Sequence, residues 1–206
     1  MRIVGWVLCW CALCCGGTVQ AAASGAAALA QAAQRQVGVT VHYDGAYRTL
    51  AYPGGDVPID RGVCTDVVVR AYRHFGVDLQ VLVNEDMRQA WSAYPRTWGN
   101  RRPDPNIDHR RVPNLATFFE RKGALLPVTQ DAADYHPGDL VTWRLPSGVP
   151  HIGIVAAERT RDGVPLMIHN IGRGVSVEDV LFAYTITGHY RYLPRALQSG
   201  PQARVR

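Results

Sequence analysis

Residues 140–171 read LVTWRLPSGVPHIGIVAAERTRDGVPLMIHNI. Apolar runs alternate there with two short turns, at 146–148 and 161–163. Strands joined by turns this short lie antiparallel, because a parallel pair needs a crossover connection of a dozen or more residues. The predicted neighbouring strands of this antiparallel sheet cover 140–145, 151–157 and 165–171.

The chain before Pro137 has helical spacing instead. Apolar side chains recur three and four residues apart between Thr65 and Phe75, and Gly76 supplies a stop. The predicted helices cover 26–37, 65–75, 83–93 and 114–122, with Asn114 as the cap of the last one. Towards the C-terminus we predict a short helix over 176–182 and a fourth strand over 186–193. This order predicts an α+β fold with N-terminal helices packed on an antiparallel sheet.

The first residues are typical of a secretory signal peptide. Met1 and Arg2 give a positive start, residues 3–15 are apolar, and small residues follow, with Val19 and Ala21 fitting a cleavage site. The apolar run is too short to span a bilayer, which takes about 20 residues. We predict a signal peptide over 1–23, one domain over 24–193 and a disordered tail over 194–206. The mature protein would then be periplasmic, with no membrane span.

The charge balance limits the partners. The chain has 22 Lys and Arg against 17 Asp and Glu, a formal net charge of +5. This mild basic excess is compatible with an anionic polymer such as a cell wall. The chain has no run of five or six like charges and no nucleic-acid-binding motif. We expect a peptidoglycan, peptide or amide substrate, no nucleic-acid partner, no cofactor and a monomeric protein.

Cys64 is the one cysteine outside the predicted signal peptide, and it stands at the start of a predicted helix. A lone cysteine in an exported protein cannot form an internal disulfide, so it is buried and inert, an intermolecular link or a reactive thiol. Unpaired backbone N–H groups and the helix dipole stabilise a thiolate at a helix start. Cys64 is therefore a candidate nucleophile.

Two histidines on neighbouring predicted strands are candidates for its base. His151 begins a strand in which Ile152 and Ile154 alternate to the other face. If that strand and the next form a hairpin, His169 lies on the same face as His151. Asn170 is a rival for the orienting position, although alternation sends it to the opposite face from His169. Spacing alone also allows both histidines to be satisfied core residues.

The polar segment 94–112 is a long loop between helices, and such a loop in a compact domain is usually functional or disordered. We predict a rigid loop beside the cleft, with Asp108, His109 and Arg110 in polar contacts or gripping substrate. The alternative is a loop whose carboxylates only cap backbone N–H groups. Residues 104–108 follow the start of a calcium loop, but the required glycine and the final glutamate are missing. No Cys/His pair has the spacing of a zinc site, so we predict no metal.

Several blocks of the sequence resemble known families. Residues 52–55 and 62–66 resemble the approach to the nucleophile in NlpC/P60 cysteine peptidases. Residues 136–141 are similar to their Pro-Gly-Asp-Leu strand start, and 151–155 and 168–170 to the strands that carry their other catalytic residues. The chain from 43 to 192 resembles more closely DUF1287, a bacterial family of unassigned function placed among papain-like peptidases. The blocks that carry this second resemblance are 56–66, 102–111, 168–174 and 186–192.

The resemblance implies a papain-like, NlpC/P60-type core with Cys64 as nucleophile, His151 as general base and His169 as the orienting residue. The superfamily suggests hydrolysis of an amide or peptide bond in peptidoglycan. The sequence differs from the NlpC/P60 pattern at two places that bear on the substrate. Val63 replaces the usual acidic residue before the cysteine, and 65–66 read Thr-Asp where Ser-Gly is usual. The candidate substrate-binding residues are Tyr52, Asp86, Asp108, His109 and Arg110.

Two further functions remain open from the sequence. The same thiol could serve an acyltransferase or an amidase that acts on a substrate outside the wall. A protein of another class, a wall-binding module without turnover, could keep the cleft and lose the chemistry. Loss of activity in Cys64→Ala with retained wall binding would distinguish the enzyme from the module.

Overall fold

The part of the chain that the structure describes contains five α-helices and eight strands, joined by loops and turns. This computed structural model describes residues 16–198, with side chains from residue 25 onward. The helices are α1 (Gly16–Gln34), α2 (Cys64–Arg73), α3 (Leu79–Gln89), α4 (Val112–Arg121) and α5 (Arg195–Gln198). The strands are β1 (His42–Tyr43), β2 (Arg61–Gly62), β3 (Leu125–Leu126), β4 (Leu140–Arg144), β5 (Pro150–Arg159), β6 (Pro165–Asn170), β7 (Val175–Glu178) and β8 (Thr185–Tyr190).

A six-stranded antiparallel sheet forms the C-terminal half. Its strand order is β3-β8-β4-β5-β6-β7, and every neighbouring pair runs antiparallel. In the β4–β5 hairpin Trp143 lies opposite His151, and in the β5–β6 hairpin Ile154 lies opposite Ile168. The strands β1 and β2 form a separate parallel pair directly before α2. The prediction of an α+β fold with an antiparallel sheet is confirmed.

The two faces of the sheet bury different clusters of side chains. Ile152, Ile154 and Ile168 lie on the face covered by the helices and join the larger core. Trp143 and Met167 lie on the opposite face, in a smaller cluster. Because side chains alternate along a strand, this register places His151 and His169 on the second face, away from the isoleucines.

Two local predictions were wrong. Residues 175–178 form β7, an edge strand paired with β6, where a helix over 176–182 was predicted. The alternation of Val175 and Val177 with Ser176 and Glu178 fits this edge position. Asn114 does not cap α4, which begins two residues earlier. It is buried in the first turn, where its Nδ2 donates to the backbone oxygen of Asp108 at 3.1 Å.

The ends of the chain are described only in part. The predicted signal peptide over 1–23 falls mainly on residues outside the described range, and α1 runs through its predicted end. At the other end, α5 lies within the predicted tail and packs against α1 with Leu197 buried, while residues 199–206 are outside the described range. Among the described residues, no helix is both long and apolar enough to cross a membrane.

A buried carboxylate joins α3 to α4. Asp86, only 4% exposed, accepts hydrogen bonds from Tyr94 at 2.8 Å, from Arg121 at 2.5 Å and from Lys122 at 2.6 Å. Burial raises the pKa of Asp86, but hydrogen bonds from Arg121, Lys122 and Tyr94 outweigh burial and lower the pKa to about 2. The described contacts of Asp86 therefore stabilise the packing of two helices.

We expect Asp86→Asn to destabilise the protein by about 1–2 kcal/mol at pH 7, a value discounted because both cations are partly exposed. The folded-state pKa lies below the ordinary value of 3.8, so this stabilisation is full above about pH 4 and is lost as the pH falls towards 2. Urea denaturation at pH 7 and pH 3 measures this change in the free energy of unfolding. The neighbouring exposed Glu85→Gln is the control. An equal effect of both substitutions, or an effect that does not shrink at low pH, would contradict the assignment.

Candidate active site

Helix α2 begins at Cys64 because the preceding turn is capped from within the helix. The Asp66 carboxylate accepts a hydrogen bond from the backbone N–H of Val63 at 2.7 Å. Gly62 allows the close approach of the two segments, because a Cβ there would lie 3.0 Å from Asp66 Oδ2. The first turn of α2, with its free N–H groups, is thereby fixed at the thiol.

Arg110 holds the same carboxylate from the other side. Its Nε and NH2 donate to the two oxygens of Asp66, both at 2.9 Å, and the side chains of the pair are 1% and 4% exposed. Arg110 NH1 and NH2 also donate to the backbone oxygens of Ala46 and Asp44, both at 3.1 Å. Thr65 Oγ1 donates in turn to the backbone oxygen of Arg110 at 3.0 Å. One guanidinium therefore joins the nucleophile helix to the segment 44–46.

The Cys64 thiol is buried, with 5% of the residue exposed. Burial raises the pKa of Cys64 to about 12, although hydrogen bonds from the backbone N–H groups of Ile152, Thr65 and Cys64 itself act in the opposite direction. The contact with Ile152 is informative, because Ile152 directly follows His151 in β5. The thiol therefore lies against the strand that carries the predicted base.

His151 and His169 form a direct pair on neighbouring strands. His151 Nε2 lies 2.8 Å from His169 Nδ1, and the two rings meet edge to face with centroids 5.1 Å apart. Trp143 stacks on His151 at 5.8 Å. Burial lowers the pKa of His151 to about 3, with a further decrease from the nearby His169. His151 is therefore neutral at pH 7, and its Nδ1 is the ring nitrogen that does not face His169.

Glu178, which the sequence analysis missed, extends this pair. His169 Nε2 lies 3.5 Å from Glu178 Oε2 and has no hydrogen bond of good geometry in the described part of the chain. Burial lowers the pKa of His169, while Glu178 acts in the opposite direction. Ser176 is opposite His169 in the β6–β7 pair, so Glu178 is its diagonal neighbour on the same face. Glu178 fell within a predicted helix, which hid this relation.

Tyr43 is a second residue that the sequence analysis did not select. Burial raises the pKa of Tyr43, and the nearby Cys64 and Asp66 raise it further. The ring lies at the end of β1, which pairs with β2 directly before the nucleophile. Tyr43 is 46% exposed. No motif or spacing around Tyr43 distinguished it in the sequence.

Asn170, the rival for the third position, supports the backbone instead. Its Nδ2 donates to the backbone oxygen of Gly62 at 3.0 Å and is 3.4 Å from that of His42. Asn170 thus lies on the helix-covered face of the sheet, behind the turn that leads to Cys64. His169 is the residue that contacts His151.

The other predicted substrate-binding residues have different surroundings. Tyr52 is exposed in the loop before α2. Asp108 is buried and accepts a hydrogen bond from the backbone N–H of Asp104 at 2.5 Å, and burial raises its pKa. His109 is buried with no hydrogen bond to Nδ1, and burial lowers its pKa to about 4. The polar contacts described for these residues, and for Asp86, do not include Cys64 or His151, so their binding role stays a prediction.

In the described part of the chain, no three His, Cys, Asp or Glu side chains are grouped so that they could hold a metal ion. The polar groups described here are the thiol of Cys64, the paired imidazoles of His151 and His169, and the carboxylate of Glu178 beside His169. Cys64 stands at the start of α2 and contacts the backbone of β5, the strand that also carries His151.

Comparison with known proteins gives the family. The chain belongs to the family described as Domain of unknown function (DUF1287), whose model matches residues 30–192. It is 54% identical over 174 residues to a curated protein of Escherichia coli (strain K12) with the name Uncharacterized protein YijF. That match covers 84% of this chain and 85% of the relative.

Among solved structures, the chain is similar to NlpC1 from Trichomonas vaginalis. The TM-score is 0.42 and the sequence identity is 16%. The match covers 82% of this chain and 45% of the other, so the chain spans less than half the length of that protein.

We expect Arg110→Met to destabilise the protein by about 3–5 kcal/mol, because it leaves the Asp66 carboxylate buried without its cation. Urea denaturation at pH 7 measures the loss. The matched control is Arg48→Met, which removes an exposed pair with Asp44 (2.8 Å) and should leave the midpoint unchanged. If the two variants unfold at the same urea concentration, the buried pair does not hold the start of α2.

Proposed function

We propose that this protein is an exported cysteine hydrolase that cleaves an amide or peptide bond, with peptidoglycan as the substrate. The observation that carries the proposal is the direct His151–His169 contact of 2.8 Å on the strand that touches the thiol of Cys64. Membership of DUF1287 and the mild positive charge are compatible with this function. The predicted signal peptide supports an exported location.

The contacts among Glu178, His169 and His151 support one arrangement of the protons. Glu178 can only accept when ionised, so it favours a proton on His169 Nε2. His169 Nδ1 then accepts a hydrogen bond from His151 Nε2–H. This tautomer leaves a lone pair on His151 Nδ1, the nitrogen that takes the thiol proton. In the proposed mechanism His151 is therefore the base and His169 a positioning residue.

The reaction then proceeds through a thioester. As Cys64 Sγ attacks the carbonyl carbon, its proton moves to His151 Nδ1, and the backbone N–H of Cys64 donates to the developing oxyanion. The imidazolium returns the proton to the leaving amine as the C–N bond breaks. Water, deprotonated by His151, hydrolyses the thioester and restores the thiol. No step requires a metal or a cofactor.

The first test measures the rate of Cys64 alkylation by iodoacetamide between pH 5 and pH 9. With a neutral imidazole as base, we expect a nearly constant rate over this range. In His151→Ala only the thiolate can react, and burial holds the thiol pKa at about 12, so the rate should rise about tenfold per pH unit. At pH 7 we expect a loss of about 100-fold or more. The control is His74→Ala, which removes a histidine at the C-terminal end of α2.

Parallel pH profiles in the unsubstituted protein and His151→Ala would exclude an activated pair. The second measurement uses purified peptidoglycan and follows the release of new amino groups. We expect Cys64→Ala to lose this release and to retain binding to the wall. Binding that is indifferent to Cys64→Ala, with no release in either protein, would instead indicate a wall-binding module.

Glu178→Met should slow alkylation at pH 7 about tenfold, because it removes the acceptor that fixes the tautomer of His169. Glu178→Gln keeps an acceptor oxygen at the same place and should retain most of the rate. Asp179→Asn, an exposed neighbour, is the control. A circular-dichroism melt accompanies each variant, and equal rates in Glu178→Met and the unsubstituted protein would remove Glu178 from the relay.

A further inference from the structure

A second polar cleft lies between the C-terminal end of α3 and the segment 100–106. Its volume is about 590 Å³, which is the size of a small-ligand or short-peptide site. Arg88 comes from the last turn of α3, and Arg101 and Arg102 come from the loop. We refer to this place as the arginine cleft, defined by Arg88, Arg101, Arg102, Tyr47 and Asn100.

The three guanidinium groups lack a carboxylate partner among the described residues. The acidic residue of the cleft, Asp104, accepts hydrogen bonds from Tyr47 and Asn106, which also line the cleft. Its Oδ2 accepts from Tyr47 at 3.0 Å, and its Oδ1 accepts from the backbone and the side chain of Asn106, both at 2.9 Å. Three like charges brought to one concave surface repel one another, which an anionic ligand would relieve. The cleft is thus suited to a negatively charged group.

The arginine cleft lies within a few residues of the thiol. Tyr43 is near enough to Cys64 for their charges to interact, and Tyr47, four positions further along the chain, lines the cleft. Four residues span at most about 14 Å. Arg110 fixes this segment through the backbone oxygens of residues 44 and 46, and Asn106 accepts from the N–H of Leu50 at 2.8 Å. An extended peptide of several residues could therefore reach from the thiol to the cleft.

We propose that the arginine cleft binds a carboxylate of the substrate, so that the protein acts on an acidic peptide whose carboxylate lies a few residues from the bond that is cut. This inference rests on the proposed function. A guanidinium pairs with a carboxylate through two parallel hydrogen bonds. The Asn100 amide can both donate to and accept from a peptide group, and the nearby Asp104 disfavours a dianion. These two features favour a peptide carboxylate over a phosphate.

The test measures binding to the Cys64→Ala protein by NMR chemical-shift titration, which reads millimolar affinities. The probes are the N-acetylated, C-amidated peptides Ala-Glu-Glu-Ala and Ala-Gln-Gln-Ala, and inorganic phosphate. We expect the glutamate peptide to bind at least tenfold more tightly than the glutamine peptide. In Arg101→Gln/Arg102→Gln this preference should fall below threefold. The matched control, Arg35→Gln/Arg161→Gln, removes two exposed arginines outside the cleft and should keep the preference.

Equal binding of the two peptides, or a preference that survives Arg101→Gln/Arg102→Gln, would overturn the proposal. Phosphate binding as tight as that of the glutamate peptide would also overturn it, in favour of a phosphate site. Alkylation of Cys64 by the small neutral iodoacetamide should be unchanged in Arg101→Gln/Arg102→Gln. A lost peptide preference with normal alkylation therefore separates a failure of the cleft from a failure of the catalytic pair.

Discussion

The ion pair between Asp66 and Arg110 is the contact on which the site depends. Its carboxylate caps the turn before Cys64, and its guanidinium reaches the segment that leads from the thiol to the arginine cleft. An ion pair buried this deeply adds little stability compared with apolar side chains of similar size. Removal of one partner is nevertheless costly, because it leaves an uncompensated buried charge. The loop 94–112 contributes Arg110 and is therefore part of the nucleophile's support rather than an insertion beside it.

The register of the sheet determines which side chains face the helices and which face away from them. Ile152 and Ile168 face the helices, so His151 and His169 must face away from them and meet each other. The Cys64 thiol lies in the larger core, with the isoleucines of the helix-covered face, and meets β5 at the backbone N–H of Ile152. A slip of one residue would exchange the isoleucines and the histidines, so the hydrophobic core and the histidine pair are specified together.

The sequence predicted the elements whose signal is local. The strands around His151 and His169 follow from alternation and short turns, and Cys64 follows from its position before an amphipathic stretch. The partnership of Asp66 with Arg110 was not predictable, because 44 residues separate them and a three-residue 3-10 turn places the arginine. Glu178 was missed because a short edge strand and a short helix have similar patterns. Tertiary contacts of this kind can be predicted only when the register of the strands and the path of the loop are known.

Burial has two opposite consequences for the proposed chemistry. It holds the thiol of Cys64 and the imidazole of His151 neutral at pH 7, with pKa values of about 12 and about 3. A neutral thiol reacts slowly with oxidants, which would protect Cys64 in the oxidising compartment that the proposed export implies. The same pair becomes reactive when a carbonyl enters, because proton transfer to His151 then accompanies the attack and no isolated charge has to form first. Under the proposed mechanism, reactivity therefore depends on an occupied site, and groups that position the substrate contribute directly to the rate.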